Sequence, residues 1–299
     1  MEDPVFRGAE RARGVVRVAA VQMTSTDDVG RNLSSVRQLV TDAAGRGASL
    51  VGLPENFAYL GSDRDHRLAI AEPLPLPGGD GSPERGPGSG PASGPILAAM
   101  QALARETHVH LLLGGFPEAT PAGTRIRNTS VLLGPDGGLL AHYRKIHLFD
   151  VELPGGATFR ESDAVEPGDT SVVADLGWGK LGLSVCYDLR FPELYRRLVG
   201  RGAEVLTVPS AFTAETGKDH WHVLLRARAI ENLAFVVAPA QAGFHGGNRR
   251  SYGHALVVDP WGVVLAEHGE GPGVAVADLD LGYLAEVRRR VPCLDHRRL

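Results

Sequence analysis

Cysteine is scarce in this sequence, with only Cys186 and Cys293 in 299 residues, too few for a disulfide framework. No His/Cys cluster has the spacing of a zinc site, so a structural metal finger is not expected. Long apolar runs are missing too: none approaches the length that spans a bilayer. Residues 1–14 are charged where a secretory leader would carry an apolar core. These absences lead to the expectation of a cytoplasmic protein with no membrane partner. A net charge of −4 supplies no basic field, which disfavours nucleic acid as a partner. What the chain does have is apolar content. Its 43% hydrophobic residues suffice for a substantial core, at the upper edge of what one domain supports.

The apolar residues alternate between two periods. Residues 15–22 (VVRVAAVQ) read as a buried strand, and Leu33, Val36, Val40 and Ala43 follow at helical spacing until Gly45 and Gly47 stop the helix. Residues 48–53 form the next strand, closed by Pro54 and Glu55. A helix over 95–106 and a strand over 109–114 repeat the alternation, which argues for an α/β fold with its motifs at strand ends. Two hairpins stand out, 130–142 and 255–267. With Pro135 aligned on Pro260, Gly137 meets Gly262 and Ala141 meets Ala266, 125 residues apart. They suggest two β-rich halves of similar build, although such turns also arise independently. In 75–95, sixteen of twenty-one residues are Gly, Pro or Ser. Such a stretch buries too little apolar surface to offset its ordering entropy, so it reads as a solvated loop before a helix, the alternative being an active-site lid. The expected organisation is a polar extension over 1–14 and one domain over 15–298.

The most informative stretch is KLGLSVCYDLRFPE, 180–193. Leu181, Leu183 and Val185 alternate with Gly182 and Ser184 as in a strand with one packed face, and Pro192 suits the first turn of a helix through Leu194 and Leu198. Cys186 then lies in the strand-to-helix corner, where backbone N–H groups and a positive helix end favour a thiolate. A lone cysteine is more often a small core residue. Two other residues change that balance. Glu55 emerges from an apolar run, and Lys145 ends the second strand of the first hairpin. Alone, the first would be a surface carboxylate and the second an edge guard. Each of the three ends a strand, so a sheet can converge them at one rim.

The motifs LPEN (53–56), YRKIHLFD (143–150), FRES (159–162), CYDLRFPE (186–193), LLRARAIEN (224–232) and SYGHALVVDPWG (251–262) resemble those of the nitrilase superfamily of carbon–nitrogen hydrolases over about residues 15–298. Within it, RARAIE, SYGH and VVDPWG are most similar to the amidase group acting on deaminated glutathione, with the omega-amidase group next. The resemblance implies an α-β-β-α sandwich, no cofactor, a small-molecule amide substrate and a homodimer or larger homo-oligomer. It implies a catalytic set of Glu55, Lys145 and Cys186, with Glu161 from FRES as a second glutamate. It further implies that Arg190 holds a substrate carboxylate and that Phe212 and Thr216 line the pocket.

The chemistry of an amide carbonyl fits those residue types. It is a poor electrophile, so the thiol must lose its proton as it attacks and the oxyanion must be held. Glu55 is the base at hand, and Lys145 with the backbone N–H of Tyr187 can hold the oxyanion. For Arg190 the alternative is a salt bridge to Asp188 or Glu193. His220 and His222 flank Trp221 without a third ligand at metal spacing and read as packing residues. FHGGNRR (244–250) is a polar loop within possible reach of substrate, while Arg288, Arg289, Arg290, Arg297 and Arg298 read as a helix end and subunit-contact surface. The rival class is a non-catalytic scaffolding homologue; within enzymes, nitrile hydrolysis is the weaker expectation.

Overall fold

The computed structural model describes residues 14–75, 93–153, 158–247 and 249–298. The extension expected over 1–14 and the Gly/Pro/Ser segment of 75–95 fall outside these, apart from Gly14, Pro75 and residues 93–95.

The first half runs β1 (Val15–Met23), α1 (Val29–Gly45), β2 (Leu50–Gly52), the short α2 (Arg64–Ala69), α3 (Pro95–Thr107), β3 (His110–Ala119), β4 (Ile126–Leu133) and β5 (Leu139–Arg144). A small ribbon of β6 (Asp150–Glu152) and β7 (Thr158–Arg160) leads into the second half. That half comprises β8 (Val173–Asp175), β9 (Lys180–Gly182), α4 (Pro192–Gly200), β10 (Val205–Thr207), α5 (Ala214–Asn232), β11 (Phe235–Ala238), β12 (Ala240–Phe244), β13 (Arg250–Tyr252), β14 (Leu256–Val258) and β15 (Val264–Glu267). Strand β16 (Gly273–Asp280) and α6 (Leu281–Arg290) close the chain.

Two sheets result. One has the order β13-β12-β1-β2-β3-β4-β5 with β16 also on β1, and the other β15-β14-β11-β10-β9-β8. The repeat hinted at by the hairpins is real. In the first sheet β1, β2 and β3 are parallel and β4 and β5 return antiparallel; β9, β10, β11, β14 and β15 do the same in the second. Each hairpin carries a register irregularity at a matching place, Leu132/Leu133 and Val257/Val258.

Strand alternation sets the layers. Val18, Ala20, Leu50, Leu112 and Leu132 point from the first sheet into a core shared with the second sheet and with α4 and α5. Their neighbours Ala19, Val21, Val51, Leu111, Leu113 and Val131 point the other way, onto Val36, Val40, Leu97, Met100 and Leu103 of α1 and α3. This is the α-β-β-α sandwich. Both faces of the inner strands are covered, so Gly182 and Ser184 are buried with Leu181, Leu183 and Val185, where one packed face was expected. Removing a fully buried leucine such as Leu112 would cost about 2–5 kcal/mol. Arg288, of the helix end, donates to the carbonyls of Leu233 and Ala203 at 2.9 Å each.

Candidate active site

Glu55, Lys145, Glu161 and Cys186 line one cavity, together with Tyr187, Arg190, Phe212 and Thr216. They do not share a single sheet rim. Glu55 and Lys145 follow β2 and β5 of one sheet, Cys186 follows β9 of the other, and the cavity opens where the ends of the two sheets meet.

The approach of Glu55 depends on glycine. Strand β3 breaks register between Leu113 and Phe116. A Cβ on Gly114 would lie 2.1 Å from the Leu53 carbonyl oxygen, and one on Gly115 2.7 Å from the Asn56 nitrogen. With hydrogens in their place, the Pro54–Asn56 backbone lies directly on β3. Gln241 on β12 adds a hydrogen bond from Nε2 to the Glu55 carbonyl at 3.0 Å. Glu55 is thereby 3% exposed, and its charge needs partners. Oε1 accepts from Lys145 Nζ at 2.9 Å and Asn128 Nδ2 at 2.9 Å, and Oε2 from the Ala211 N–H at 3.1 Å. Burial favours the neutral acid, but Lys145, by its charge and its hydrogen bond, with smaller help from Cys186 and Arg249, outweighs it and keeps the Glu55 pKa below the usual carboxylate range.

Lys145 is 2% exposed and also donates to Glu161 Oε2 at 2.8 Å. Desolvation pulls the ammonium towards its neutral form, yet Glu161 and Glu55 prevail and its pKa is raised. Glu161 starts a 3-10 turn after β7 and is fixed by the Phe149 N–H at 2.7 Å. Among the described residues it reaches Glu55 through Lys145 and through Asn128, whose Nδ2 donates to Glu161 Oε1 at 3.2 Å.

Cys186 opens a five-residue 3-10 turn, Cys186–Arg190, and α4 starts only at Pro192. The expected corner exists, but Cys186 is removed from the α-helix end. Instead Cys186 adopts φ 48°, the left-handed region unfavourable to a side chain by about 1–2 kcal/mol, and its N–H is held by the Pro209 carbonyl at 2.9 Å. The expected thiolate is not the resting state. Burial, and after it the charge of Glu55, raise the Cys186 pKa well above its ordinary value, with Lys145 only partly opposing them. The thiol and the Glu55 carboxylate line the same cavity and each shifts the other's titration, so the two titrate as one coupled pair.

Asp188 supports this corner. It is fully buried and accepts from the Val185 N–H at 2.8 Å, the Tyr143 hydroxyl at 2.8 Å, and the His147 N–H and Nδ1 at 3.1 and 2.7 Å. One carboxylate therefore ties the residue before Cys186 to both flanks of Lys145. From α5, Arg228 grips the Leu189 carbonyl with Nε and Nη2 at 3.1 and 2.7 Å. With Asp188 so engaged, Arg190 has no salt bridge to Asp188 or Glu193 among the described residues. Its guanidinium lies 5.9 Å from the Tyr187 ring centroid and 5.2 Å from that of Phe212, with Nη1 3.3 Å from His220 Nδ1.

The sequence reading missed Asn128, Asp188 as a scaffold, and three further arginines lining the cavity, Arg67, Arg160 and Arg249. Arg249 does belong to the FHGGNRR loop expected to approach substrate. Among the described residues one group could hold a metal ion. His222, His254 and Glu267 place their donor atoms within 4.8 Å of one another, outside the residues that line the cavity. Glu267 Oε1 lies 3.1 Å from His222 Nε2 and 2.6 Å from His254 Nδ1, so His222 is a hydrogen-bonding partner as well as a packing residue, its ring edge-on to Tyr252 and His254.

A buried thiol and carboxylate that titrate as a coupled pair, beside a lysine kept cationic, define a hydrolase class that cleaves carbon–nitrogen bonds in amides. The chain belongs to the carbon–nitrogen hydrolase family, whose pattern matches residues 17–289. It is 46% identical over 283 residues to a protein of Synechocystis sp. named deaminated glutathione amidase, covering 93% of this chain and 97% of that one. The crystal structure of Saccharomyces cerevisiae Nit3, a member of branch 10 of the nitrilase superfamily, superposes with a TM-score of 0.81 at 31% identity, over 96% of this chain and 97% of that one. An amidase from Nesterenkonia sp. AN1, captured after Michael addition of acrylamide at its active site cysteine, gives a TM-score of 0.71 at 29% identity, over 92% and 99% of the two chains.

Proposed function

We propose that the protein hydrolyses the amide of a small carboxylate-bearing molecule through a thioester on Cys186, with deaminated glutathione as substrate and 2-oxoglutarate and cysteinylglycine as products. The observation that carries this reading is the closed hydrogen-bonded set of Glu55, Lys145 and Glu161 around a buried thiol. Glu55 takes the thiol proton as sulfur bonds to the amide carbon. An ammonium has three N–H bonds, and Glu55 and Glu161 occupy two of Lys145's. The third, with the backbone N–H of Tyr187, is left for the oxyanion. As the carbon–nitrogen bond breaks, Glu55 returns its proton to the departing amine. A water then gives a proton to Glu55 and attacks the thioester, and the acid leaves as the thiol is restored. Glu161 holds Lys145, Arg190 binds the acyl carboxylate, and Phe212 and Thr216 shape the wall. Homo-oligomeric assembly and a cytoplasmic setting belong to the same reading, the former open to light scattering.

Cys186→Ser is the test, because a hydroxyl of nearly the same volume ionises far less readily. Wild type should turn over deaminated glutathione in preference to 2-oxoglutaramate and a simple nitrile, with an acyl-enzyme on Cys186 visible by intact mass for slow substrates. The variant should lose turnover with an unchanged melting temperature. Turnover by Cys186→Ser at the wild-type rate would remove the nucleophile; a preference for 2-oxoglutaramate would move the assignment to an omega-amidase.

A further inference from the structure

The cavity carries more positive charge than its chemistry uses. Glu55 and Glu161 supply two negative charges, while Lys145, Arg67, Arg190 and Arg249 supply four positive ones, so two are left over even without the exposed Arg160. A half-buried pocket with that imbalance suits a dianion.

The surplus falls into two groups. Arg190 lies against Tyr187, Phe212 and His220. Arg67 and Arg249 line the cavity within reach of its carboxylates, where Arg67 feels the charges of Glu161 and Glu55, and Arg249 acts on Glu55. Arg67 also borders a neighbouring cavity with Asn56, Tyr59 and Asn128. Among the described residues neither guanidinium has a hydrogen-bond or ion-pair partner. Burial, and then Arg249 itself, lower the pKa of Arg67. Two unpaired guanidinium groups that repel one another make a fork for a carboxylate. The loop bearing Arg249 is anchored: His245 is held between the Ser25 carbonyl and the Ser251 hydroxyl, each at 2.8 Å.

The direction of the reaction says which part of the substrate lies there. Glu55 must hand its proton to the departing nitrogen, so that nitrogen sits beside Glu55, and whatever it bears extends past Glu55 towards Arg67 and Arg249. We propose that Arg67 and Arg249 form a leaving-group subsite that binds a carboxylate on the amine half of the substrate, while Arg190 binds the carboxylate of the acyl half. The preferred substrate is then an amide with a carboxylate on each side of the scissile bond, and a primary amide that releases only ammonia fills half of the site. This inference rests on the amidase reading above.

The experiment compares deaminated glutathione with the same compound carrying a terminal carboxamide in place of the glycine carboxylate, and uses 2-oxoglutaramate as a reference. Wild type should favour the acid over the carboxamide by at least tenfold in kcat/KM, and Arg249→Gln and Arg67→Gln should each erase most of that preference. Cysteinylglycine should inhibit wild type as the first product released, and the variants at least tenfold more weakly. Equal losses on acid and carboxamide would mean that the two arginines serve only Glu55 and Glu161, and would overturn the subsite. If Arg67→Gln fails to fold, Arg249→Gln, altered on a hairpin loop, decides alone. Failure of wild type on all three substrates would instead refute the amidase reading itself.

Discussion

Replacing Asn128 by alanine perturbs the buried charge cluster at its neutral member. Asn128 Nδ2 donates to Glu55 and Glu161, while its Oδ1 has no partner among the described residues. The substitution thus removes two hydrogen bonds to carboxylates, worth about 1.5–3 kcal/mol each, and one orphaned acceptor, which costs about 1–3 kcal/mol. The two effects offset in part, leaving a net destabilisation of about 2 kcal/mol, or a few degrees in melting temperature. Catalysis should suffer differently. Without this donor Glu55 holds a proton more tightly, so the acidic limb of the rate profile, below which Glu55 cannot accept the thiol proton, moves to higher pH. Losing one such bond's worth of transition-state stabilisation lowers kcat about tenfold. Steady-state kinetics on deaminated glutathione from about pH 5 to 9, beside thermal melts, read both effects. KM should hold, because Asn128 does not line the cavity. A lower melting temperature with an unmoved acidic limb and kcat within about twofold of wild type would reduce Asn128 to a packing residue and refute the reasoning.

Two further outcomes are expected. Arg190→Lys keeps a charge but loses the planar fork, so kcat/KM for substrates with an acyl carboxylate should fall about tenfold or more, and much less for an uncharged analogue; equal losses on the matched pair would assign Arg190 to support of the Cys186 turn. Burial pushes the His245 pKa down to about 4, so the unfolded chain binds a proton first as the pH falls below about 6.5. Stability present at neutral pH is therefore lost between about pH 6.5 and 4, by roughly 1–3 kcal/mol, and His245→Gln should flatten that dependence; urea midpoints for the two proteins that fall in parallel between about pH 7 and 5 would contradict it.

Much of the architecture was legible because period and punctuation coincide. Residues 15–22, 33–43 and 95–106 carry unambiguous strand or helix spacing, the second stopped by Gly45 and the third opened by Pro95, and the structure places elements there. The likeness of the two hairpins proved to be the likeness of two half-folds. What period 2 does not encode is which sheet a strand joins, so Glu55, Lys145 and Cys186 were expected on one rim although they come from two sheets. Burial of both strand faces was invisible for the same reason. Side chains that act through long-range contacts left little local signal: Asn128 sits in an ordinary strand start, and Arg67 and Arg249 in polar segments where charge is the rule. Asp188 read as a partner for Arg190 because the two are near in sequence, whereas its hydrogen bonds go to Tyr143, His147 and Val185.

The state of Cys186 is the sharpest instance. A strand-to-helix corner predicts an ionised sulfur, but that inference assumes a solvated thiol at a helix end, and this one is desolvated beside a carboxylate. In the resting site Lys145 lies between two carboxylates, Glu161, which holds it, and Glu55, whose negative charge is the one the proposed reaction moves. During attack that charge passes from Glu55 to sulfur and on to the carbonyl oxygen, while the proton crosses from sulfur to Glu55. Taken together with the bound carbonyl, the buried cluster of Glu55, Glu161, Lys145 and Cys186 keeps the same net charge throughout, so no step requires a new charge to be buried. A resting thiolate would have to coexist with ionised Glu55 and would add a second uncompensated charge to a closed site. Keeping the thiol protonated until a carbonyl is in place also leaves the sulfur a poor nucleophile towards oxidants, which react with thiolates. The raised pKa is thus compatible with catalysis because the base proposed to remove the proton stands in the same cavity as the thiol.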